Sequence, residues 1–464
     1  MLAVLKRTKI KFLFLIAFFA LSPHPLLAND GVPVDNVAPM TLEETLDQAT
    51  ESANLGWLLV STALVLFMTA PGLALFYSGL VRRKNVLGVM MQCLFLMGLM
   101  SVVWALWGYS LSFGEGSRFV GNFESLMLNG LTMKDGKLPG EGIPDLAFMI
   151  FQCMFFVITP VLICGAFAER MKFSAMVVFM IAWGTFVYCP LCHMVWGEGW
   201  LFFGGQDALL GGALDFAGGT VVHISAGISA LVCAIIIGPR MGFGKHDMRP
   251  HNLTYTAMGA TMLWVGWFGF NAGSAIAVND LAVNAFVVTH LAASTGAIAW
   301  ATTEWLLSGK PSVLGTASGA ISGLVCITPA AGFVHPMPAL FIGVSAGVAC
   351  YFACGKLKKT FGYDDSLDVF GIHGIGGALG ALLTGVFATT DVNPAGANGV
   401  FYGGSIQLLL AQMAAVGVAA LISIIGSFIL LKVIELIIGL RVDSETEQQG
   451  LDLGAHGEEG YIFN

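Results

Sequence analysis

Long apolar runs, separated by short polar connections, fill the chain between about residues 55 and 438. Each run is long enough to cross the hydrocarbon core of a bilayer as a helix, which takes about 20 residues. The pattern therefore predicts an all-α integral membrane protein with about eleven transmembrane helices, near residues 55–79, 86–112, 146–168, 174–195, 216–238, 253–277, 283–307, 312–332, 337–355, 371–389 and 404–438.

The composition strengthens this interpretation. Hydrophobic residues make up 56% of the 464 residues and charged residues only 11%, whereas an ordinary soluble domain carries about 25% charged residues. So few charges cannot cover a soluble surface of this size. The net charge is −8 and the basic residues do not gather into a large cluster, so nucleic acid is not an expected partner.

The first 28 residues have the pattern of a secretory signal peptide. The basic start contains Lys6, Arg7, Lys9 and Lys11, and an apolar stretch follows at residues 12–21. The small residue Ala28 stands at a possible cleavage site. We expect residues 1–28 to be a signal peptide, residues 29–440 to form one transmembrane domain, and residues 441–464 to form a cytoplasmic tail.

The distribution of positive charge predicts the orientation in the membrane. Of the 21 lysines and arginines, four lie in the leader, and 14 of the other 17 follow odd-numbered spans. Basic connections stay on the cytoplasmic side. We therefore expect a protein of the inner (plasma) membrane, with the mature N-terminus outside and the C-terminus in the cytoplasm.

Spans 5 and 10 share a spaced pattern. Asp215 precedes His223 by eight residues, Asp365 precedes His373 by eight, and Gly227 and Gly377 match at the same offset of 150 residues. Five spans followed by five spans gives two halves of opposite topology, as in transporters built from inverted repeats. The sequence thus predicts two five-helix inverted repeats and a final long helix.

The histidines and the aspartate of this pattern are candidates for chemistry. His223 and His373 lie mid-span, where an ionisable residue is costly and often functional, although a buried histidine is more often a satisfied hydrogen-bonding group. Equivalent repeat positions would bring the two imidazoles together as a neutral pair. Asp215 has two compatible interpretations, a helix N-cap or a negative charge that stabilises a cation near the outer vestibule.

The stretch Cys189-Pro-Leu-Cys192-His193 fits C-x-x-C-H, the spacing that attaches a c-type haem. This spacing leaves a haem protein open as an alternative, although no soluble haem domain surrounds the stretch. The two cysteines are expected to be free thiols or a local disulfide.

Several segments together closely resemble the ammonium transporter family (the Amt/Mep/Rh group), in its bacterial Amt form. They follow in the family's order along nearly the whole mature chain: FYSGLVRRKNVL (76–87), GAFAERMKFSA (165–175), HMVWG (193–197), DFAGGTVVHISAG (215–227), GWFGFNAGSA (266–275), KPSVLGTASGAISGLV (310–325) and DVFGIHG (368–374). The sequence departs from the family at Glu198, where glycine is common.

The resemblance implies a transport protein rather than an enzyme, without a cofactor or metal, and a homotrimer with one narrow pore per subunit. It implies that Trp196, Ser274 and Phe155 form an outer ammonium-binding site and that Phe155 and Phe270 form a gate below it. His223 and His373 would line the pore, and Asp215 would be the acid of the vestibule.

The resemblance also names partners. The substrate would be ammonium or ammonia, with methylammonium as an analogue, and the protein would sit in membrane lipid. The acidic tail is similar to the family's cytoplasmic tail, and a PII-type signal protein would bind the cytoplasmic face. The alternative function is an ammonium sensor that acts through cytoplasmic partners.

Overall fold

The computed structural model describes residues 41–133 and 143–462, so the expected signal peptide lies outside the described residues. Among the described residues, Thr41 and Glu44 make a reciprocal cap: the amide of Glu44 donates to Thr41 Oγ1 (3.2 Å) and the amide of Thr41 donates to Glu44 Oε2 (2.8 Å).

The described residues are helical and contain no strand beyond two isolated bridges. Nine helices within this part of the chain are long and apolar enough to cross a membrane, and two further apolar helices of 20 and 15 residues bring the passes to eleven, as predicted. In chain order they are α1 (Leu42–Leu80), α2 (Arg83–Phe113), α3 (Asp145–Phe167), α4 (Phe173–Trp196), α5 (Gly219–Ile237), α6 (Leu253–Ala272), α7 (Asp280–Ser308), α8 (Val313–Ile327), α9 (Pro336–Phe361), α10 (Phe370–Phe387) and α11 (Ile406–Ile437).

Glycines allow α5 and α10 to cross in close contact. A Cβ placed on Gly227 would overlap the backbone of Gly374, and one placed on Gly377 would lie 2.9 Å from Cβ of His223. His223, the earlier residue of α5, meets Gly377, the later residue of α10, whereas Gly227 meets Gly374. The two helices therefore run antiparallel. This crossing agrees with the predicted inverted repeat.

The two ends of the bundle differ in charge. We call the end where α4 finishes, at Trp196, the tryptophan end, and the opposite end, where the residues after α11 pack, the tail end. At the tail end Arg82 pairs with Glu169 (2.5 Å), and Arg240 contacts both Glu169 (3.6 Å) and Asp364 (2.8 Å). These pairs connect the loops after α1, α3, α5 and α9.

More than half of the described residues after α11 are exposed, but two acidic side chains among them are buried. Glu447, which is 2% exposed, accepts the amide of Met241 (2.7 Å) and pairs with Arg441 (2.9 Å). Asp452 accepts the amide of Gly88 (2.7 Å). The acidic tail therefore has fixed partners in the loop after α5 and near the start of α2.

We expect Asp364→Asn to destabilise the fold by about 3 kcal/mol, because the buried Arg240 loses the nearer of its two carboxylates and keeps only Glu169 at 3.6 Å. Burial acts to raise the pKa of Asp364, but the hydrogen bonds and charge of Arg240 outweigh it and lower the pKa. A lowered pKa means that the pair stabilises above the ordinary carboxyl pKa of about 4 and is lost only at lower pH. The apparent melting temperature of Asp364→Asn should therefore lie below that of the wild type by the same amount at all pH values from 8 to 5.

The control is Asp247→Asn, because Asp247 pairs with Arg249 on the surface of the same end, where both side chains are more than half exposed. An exposed pair contributes little, so this variant should melt like the wild type. Equal melting temperatures for the two variants would contradict the assignment.

Candidate functional site

Aromatic rings stack inward from the tryptophan end. Trp196, the last residue of α4, meets the ring of Phe155 in α3 edge to face, with centroids 5.9 Å apart at 86°. Phe155 in turn lies against Phe270 of α6, with centroids 4.3 Å apart at 36°. Both phenylalanines are 1% exposed, so they close the path below Trp196.

Ser274 stands one turn beyond Phe270, just after α6. Its hydroxyl donates to the carbonyl oxygen of Phe270 (2.8 Å). A hydroxyl that donates one bond still has lone pairs with which to accept others. The structure thus connects Ser274 directly to the inner phenylalanine.

The two predicted histidines meet. Their Nδ1 atoms are 3.2 Å apart, and the side chains are almost completely buried. One Nδ1 has to donate and the other to accept, which two imidazolium rings cannot do. Within the described residues, Nε2 of His223 is buried and has no hydrogen-bond partner.

The histidine pair continues the aromatic stack. The ring of His223 lies nearly parallel to Phe270 (6.0 Å, 23°) and to Trp267 (5.5 Å, 26°). A narrow internal cavity is lined by these rings and His373, and otherwise by hydrocarbon side chains such as Ile321. A small neutral molecule that can hydrogen-bond suits this space better than an ion.

The mid-span placement of the histidines is wrong. His223 and His373 lie in the first turns of α5 and α10, and both of these turns are π-helical. The structure differs because α5 begins only at Gly219, after Gly218 has taken a left-handed φ of 115° that suits glycine. Single π-helical turns are frequent at functional sites.

Asp215 satisfies the buried start of α5. Its Oδ1 accepts the amides of Gly218 (2.8 Å) and Gly219 (2.6 Å), and its Oδ2 accepts the amide of Thr220 (2.8 Å) and the Thr220 hydroxyl. The backbone carbonyl of Asp215 accepts the indole N–H of Trp196 (2.8 Å). Asp215 thus caps the helix of one histidine and orients Trp196; a separate role of its charge in the vestibule stays a prediction.

Asp365 is the repeat partner of Asp215 and caps α10 more sparsely. Its Oδ2 accepts the amide of Phe370 (2.8 Å), and its backbone carbonyl accepts Nζ of Lys358 (2.6 Å). Burial raises the pKa of Asp365 to about 6, although Lys358 opposes the shift.

A model of the Ammonium Transporter Family matches residues 56–461. The chain belongs to the ammonium transporter family. It is 46% identical over 399 residues to an ammonium transporter of Bacillus subtilis, covering 86% of this chain and 96% of that one. Membership makes the chain a multi-pass membrane protein that transports ammonium, and not an enzyme.

Solved structures agree with this membership. The chain is similar to Saccharomyces cerevisiae Mep2, with a TM-score of 0.77 and 35% identity over 84% of this chain and 90% of that one. It is also similar to a structure described as a Sensor Amt Protein, with a TM-score of 0.79 and 26% identity over 88% of this chain and 99% of that one.

The haem interpretation of C-x-x-C-H has no support in this ammonium transporter fold. Cys189 and Cys192 are fully buried free thiols, not a disulfide. Both ring nitrogens of His193 face backbone carbonyls, those of Ser112 (3.1 Å) and Ser117 (2.7 Å), which leaves neither nitrogen for iron.

Sequence reasoning did not assign Trp267 to the site. It stands one helical turn before Phe270, and its indole N–H donates to Thr328 (2.9 Å), the residue that follows α8, which fixes the ring against His223. The sequence held one indication of this: Trp267 is three residues before the candidate gate residue Phe270, and residues at this spacing share one face of a helix. The contact with Thr328 was not readable from the sequence.

We expect Asp215→Ala to lower the melting temperature by several degrees, because three buried N–H groups lose their acceptor. Asp215→Asn keeps one acceptor oxygen and should lose less. Asp207→Ala is the control, since Asp207 is an exposed acid on the same connection and caps no helix. Equal stability of Asp215→Ala and Asp207→Ala in detergent would exclude the capping role.

Proposed function

We propose that this transporter binds ammonium at the tryptophan end, removes a proton from it and conducts ammonia past a phenylalanine gate and a twin-histidine pore. One observation carries the proposal: an unbroken row of rings from Trp196 to His373, in which the last two rings are histidines. Neighbouring centroids along the row are 4.3 to 6.0 Å apart.

Trp196, Phe155 and Ser274 suit the first step. An aromatic face attracts a cation by about 0.5–2 kcal/mol, depending on how far it is desolvated. The hydroxyl of Ser274 can accept an N–H bond from ammonium. The indole ring is held by the carbonyl of Asp215, so the binding surface is formed before the ion arrives.

The phenylalanine pair and the histidines suit the second step. A buried apolar gate offers an ion nothing in exchange for its hydration shell, so the charged form is held back. Ammonia can pass when the Phe155 and Phe270 rings move aside. Beyond them, the unpartnered Nε2 of His223 offers a hydrogen bond to a small neutral molecule.

This order of steps separates ammonium from potassium. The two ions have nearly the same size and charge, so a cation–π site alone attracts both. Potassium has no proton to lose, whereas ammonium becomes neutral when it transfers its proton to water on the outer side of the gate. Selectivity would therefore come from deprotonation followed by a path for neutral molecules.

The topology proposal follows from charge. Residues 1–28 would be a signal peptide, residues 29–440 the ammonium transporter domain and residues 441–464 a cytoplasmic tail. The tryptophan end would face outward from the inner membrane. The tail end would face the cytoplasm, because 14 of the 17 basic residues after the leader follow odd-numbered spans and thus lie there.

The assembly would be a homotrimer that binds a PII-type signal protein on its cytoplasmic face. The packed tail supports a cytoplasmic partner, since residues such as Glu447 and Asp452 hold it against loops that such a protein would cover. This arrangement would make the tail and loops one rigid docking surface.

A sensor that acts through cytoplasmic partners is the second candidate, favoured by the similarity to the Sensor Amt Protein. A growth assay distinguishes the two functions. A transporter restores growth at low ammonium to a host that lacks its own uptake systems, whereas a sensor leaves growth unchanged.

We expect two sets of variants to act differently in proteoliposomes given ammonium or potassium jumps. Trp196→Ala with Ser274→Ala should slow ammonia entry at low ammonium concentration about tenfold, measured as the rise in lumenal pH, because the cation–π contribution is lost. His223→Asp with His373→Glu should admit potassium, because negative charges replace a neutral pair. Methylammonium uptake in cells measures the first effect independently.

The control for the first variant is Trp305→Ala, which removes an indole that is 61% exposed, far along α7 from the stack. Potassium exclusion as in the wild type by the His223→Asp, His373→Glu variant would refute the selectivity role of the pair. An unchanged rate of lumenal pH rise in the Trp196, Ser274 variant would refute the binding site.

A PII-type protein from the same source should bind the purified transporter under at least one nucleotide condition. Glu447→Gln should weaken that binding, because it releases the tail from Met241 and Arg441. Surface plasmon resonance on the detergent-solubilised protein measures it. Absence of binding under every nucleotide condition would remove this partner.

A further inference from the structure

Two glycines stand one helical turn after the two pore histidines. Gly227 follows His223 by four residues in α5, and Gly377 follows His373 by four in α10. Residues four apart share one face of a helix. Each glycine therefore lies on the histidine's face of its own helix and meets the other helix there.

The contacts are reciprocal. A Cβ on Gly227 would overlap the amide nitrogen and Cα of Gly374 and would lie 2.9 Å from the carbonyl carbon of His373. A Cβ on Gly377 would lie 2.9 Å from Cβ of His223 and 3.1 Å from the carbonyl oxygen of Gly219. The glycine of each repeat thus receives the histidine segment of the other.

The histidine pair has little tolerance for movement. A hydrogen bond from a ring N–H spans about 2.7–3.2 Å, and the Nδ1 atoms are 3.2 Å apart. A methyl group on Gly377 requires His223 to shift by a few tenths of an ångström, because a 2.9 Å carbon–carbon approach is not sustained. Such a shift moves the pair out of hydrogen-bonding range.

We propose that Gly227 and Gly377 are positioning residues that set the separation of the twin histidines, and through it the selectivity of the pore. The proposal rests on the proposed function of the pair. It assigns the two glycines a role beyond general helix packing, namely the distance between two rings on different repeats.

The neighbouring Gly376 provides a matched control. A Cβ there would lie 3.2 Å from Cγ1 of Val325 and 3.3 Å from Sγ of Cys350, so it is also crowded. It stands on the same turn of α10 but meets α8 and α9 in place of His223. Gly376→Ala reports the cost of crowding this turn, and Gly377→Ala adds the effect on the histidines.

The experiment measures the histidine pair directly. The full-length protein is labelled with ¹⁵N-histidine in lipid, and solid-state NMR detects the N–H···N correlation between two imidazoles, assigned by its loss in His223→Gln. Gly377→Ala should lose this correlation, and its ammonia entry into proteoliposomes, measured as the rise in lumenal pH after an ammonium jump, should slow about tenfold, as for one buried hydrogen bond. Gly376→Ala should retain both.

An intact correlation in Gly377→Ala, or equal losses in both glycine variants, would overturn the proposal. Because the NMR signal does not depend on transport, failure of the twin-histidine function would appear separately, as an intact correlation without ion selectivity in the wild type. If Gly377→Ala does not assemble, the size swap His223→Gly, Gly377→Ala moves the Cβ from one helix to the other. Recovered assembly supports the contact, and continued failure overturns it.

Discussion

The structure depends on one constraint: two helices begin inside the molecule, away from water. The first N–H groups of any helix have no partner within it, and a buried N–H group without a partner is costly. In α5 the carboxylate of Asp215 takes three of these groups. Only because this start is satisfied can His223 stand in the first turn, deep in the bundle and near its counterpart in α10.

The same cap connects the two halves of the pathway. Asp215 uses its side chain for α5 and its backbone carbonyl for the indole of Trp196. The residue that caps the helix of a buried histidine also orients the ring that we propose as the first contact of the cation. A change in the cap would therefore disturb binding and conduction together, and loss of transport in an Asp215 variant does not by itself separate charge from geometry.

Much of the fold was predictable because the bilayer simplifies the pattern. Eleven apolar runs gave eleven helices, and the offset of 150 residues paired His223 with His373 before any contact was known. The position of these histidines within their helices, in the first turn and not in the middle, was not predictable. The apolar run around span 5 includes residues 216–218, and only the φ of Gly218 and the hydrogen bonds of Asp215 make the helix begin at Gly219.

The contacts that complete the site join residues distant in sequence. Nothing local indicates that Trp267 is held by Thr328, or that Gly377 meets His223. The tail shows the same limit. Its acidic composition is typical of a solvated segment, yet Glu447 is buried, because Arg441 and the amide of Met241 lie where the fold places them.

The two repeats share the spacing of aspartate, histidine and glycine, but the backbone carbonyls of the two capping aspartates accept hydrogen bonds from different groups. At the tryptophan end, the carbonyl of the capping aspartate accepts an indole N–H, and the face of that ring remains able to attract a cation. At the tail end, the equivalent carbonyl of Asp365 accepts Nζ of Lys358, which also pairs with Asp368 (2.7 Å). The positively charged amine of Lys358 already fills that position, and it repels a second cation. The two ends share one backbone plan but differ in their affinity for positive charge, which agrees with the proposed path, where an ion binds at one side and a neutral molecule moves beyond it.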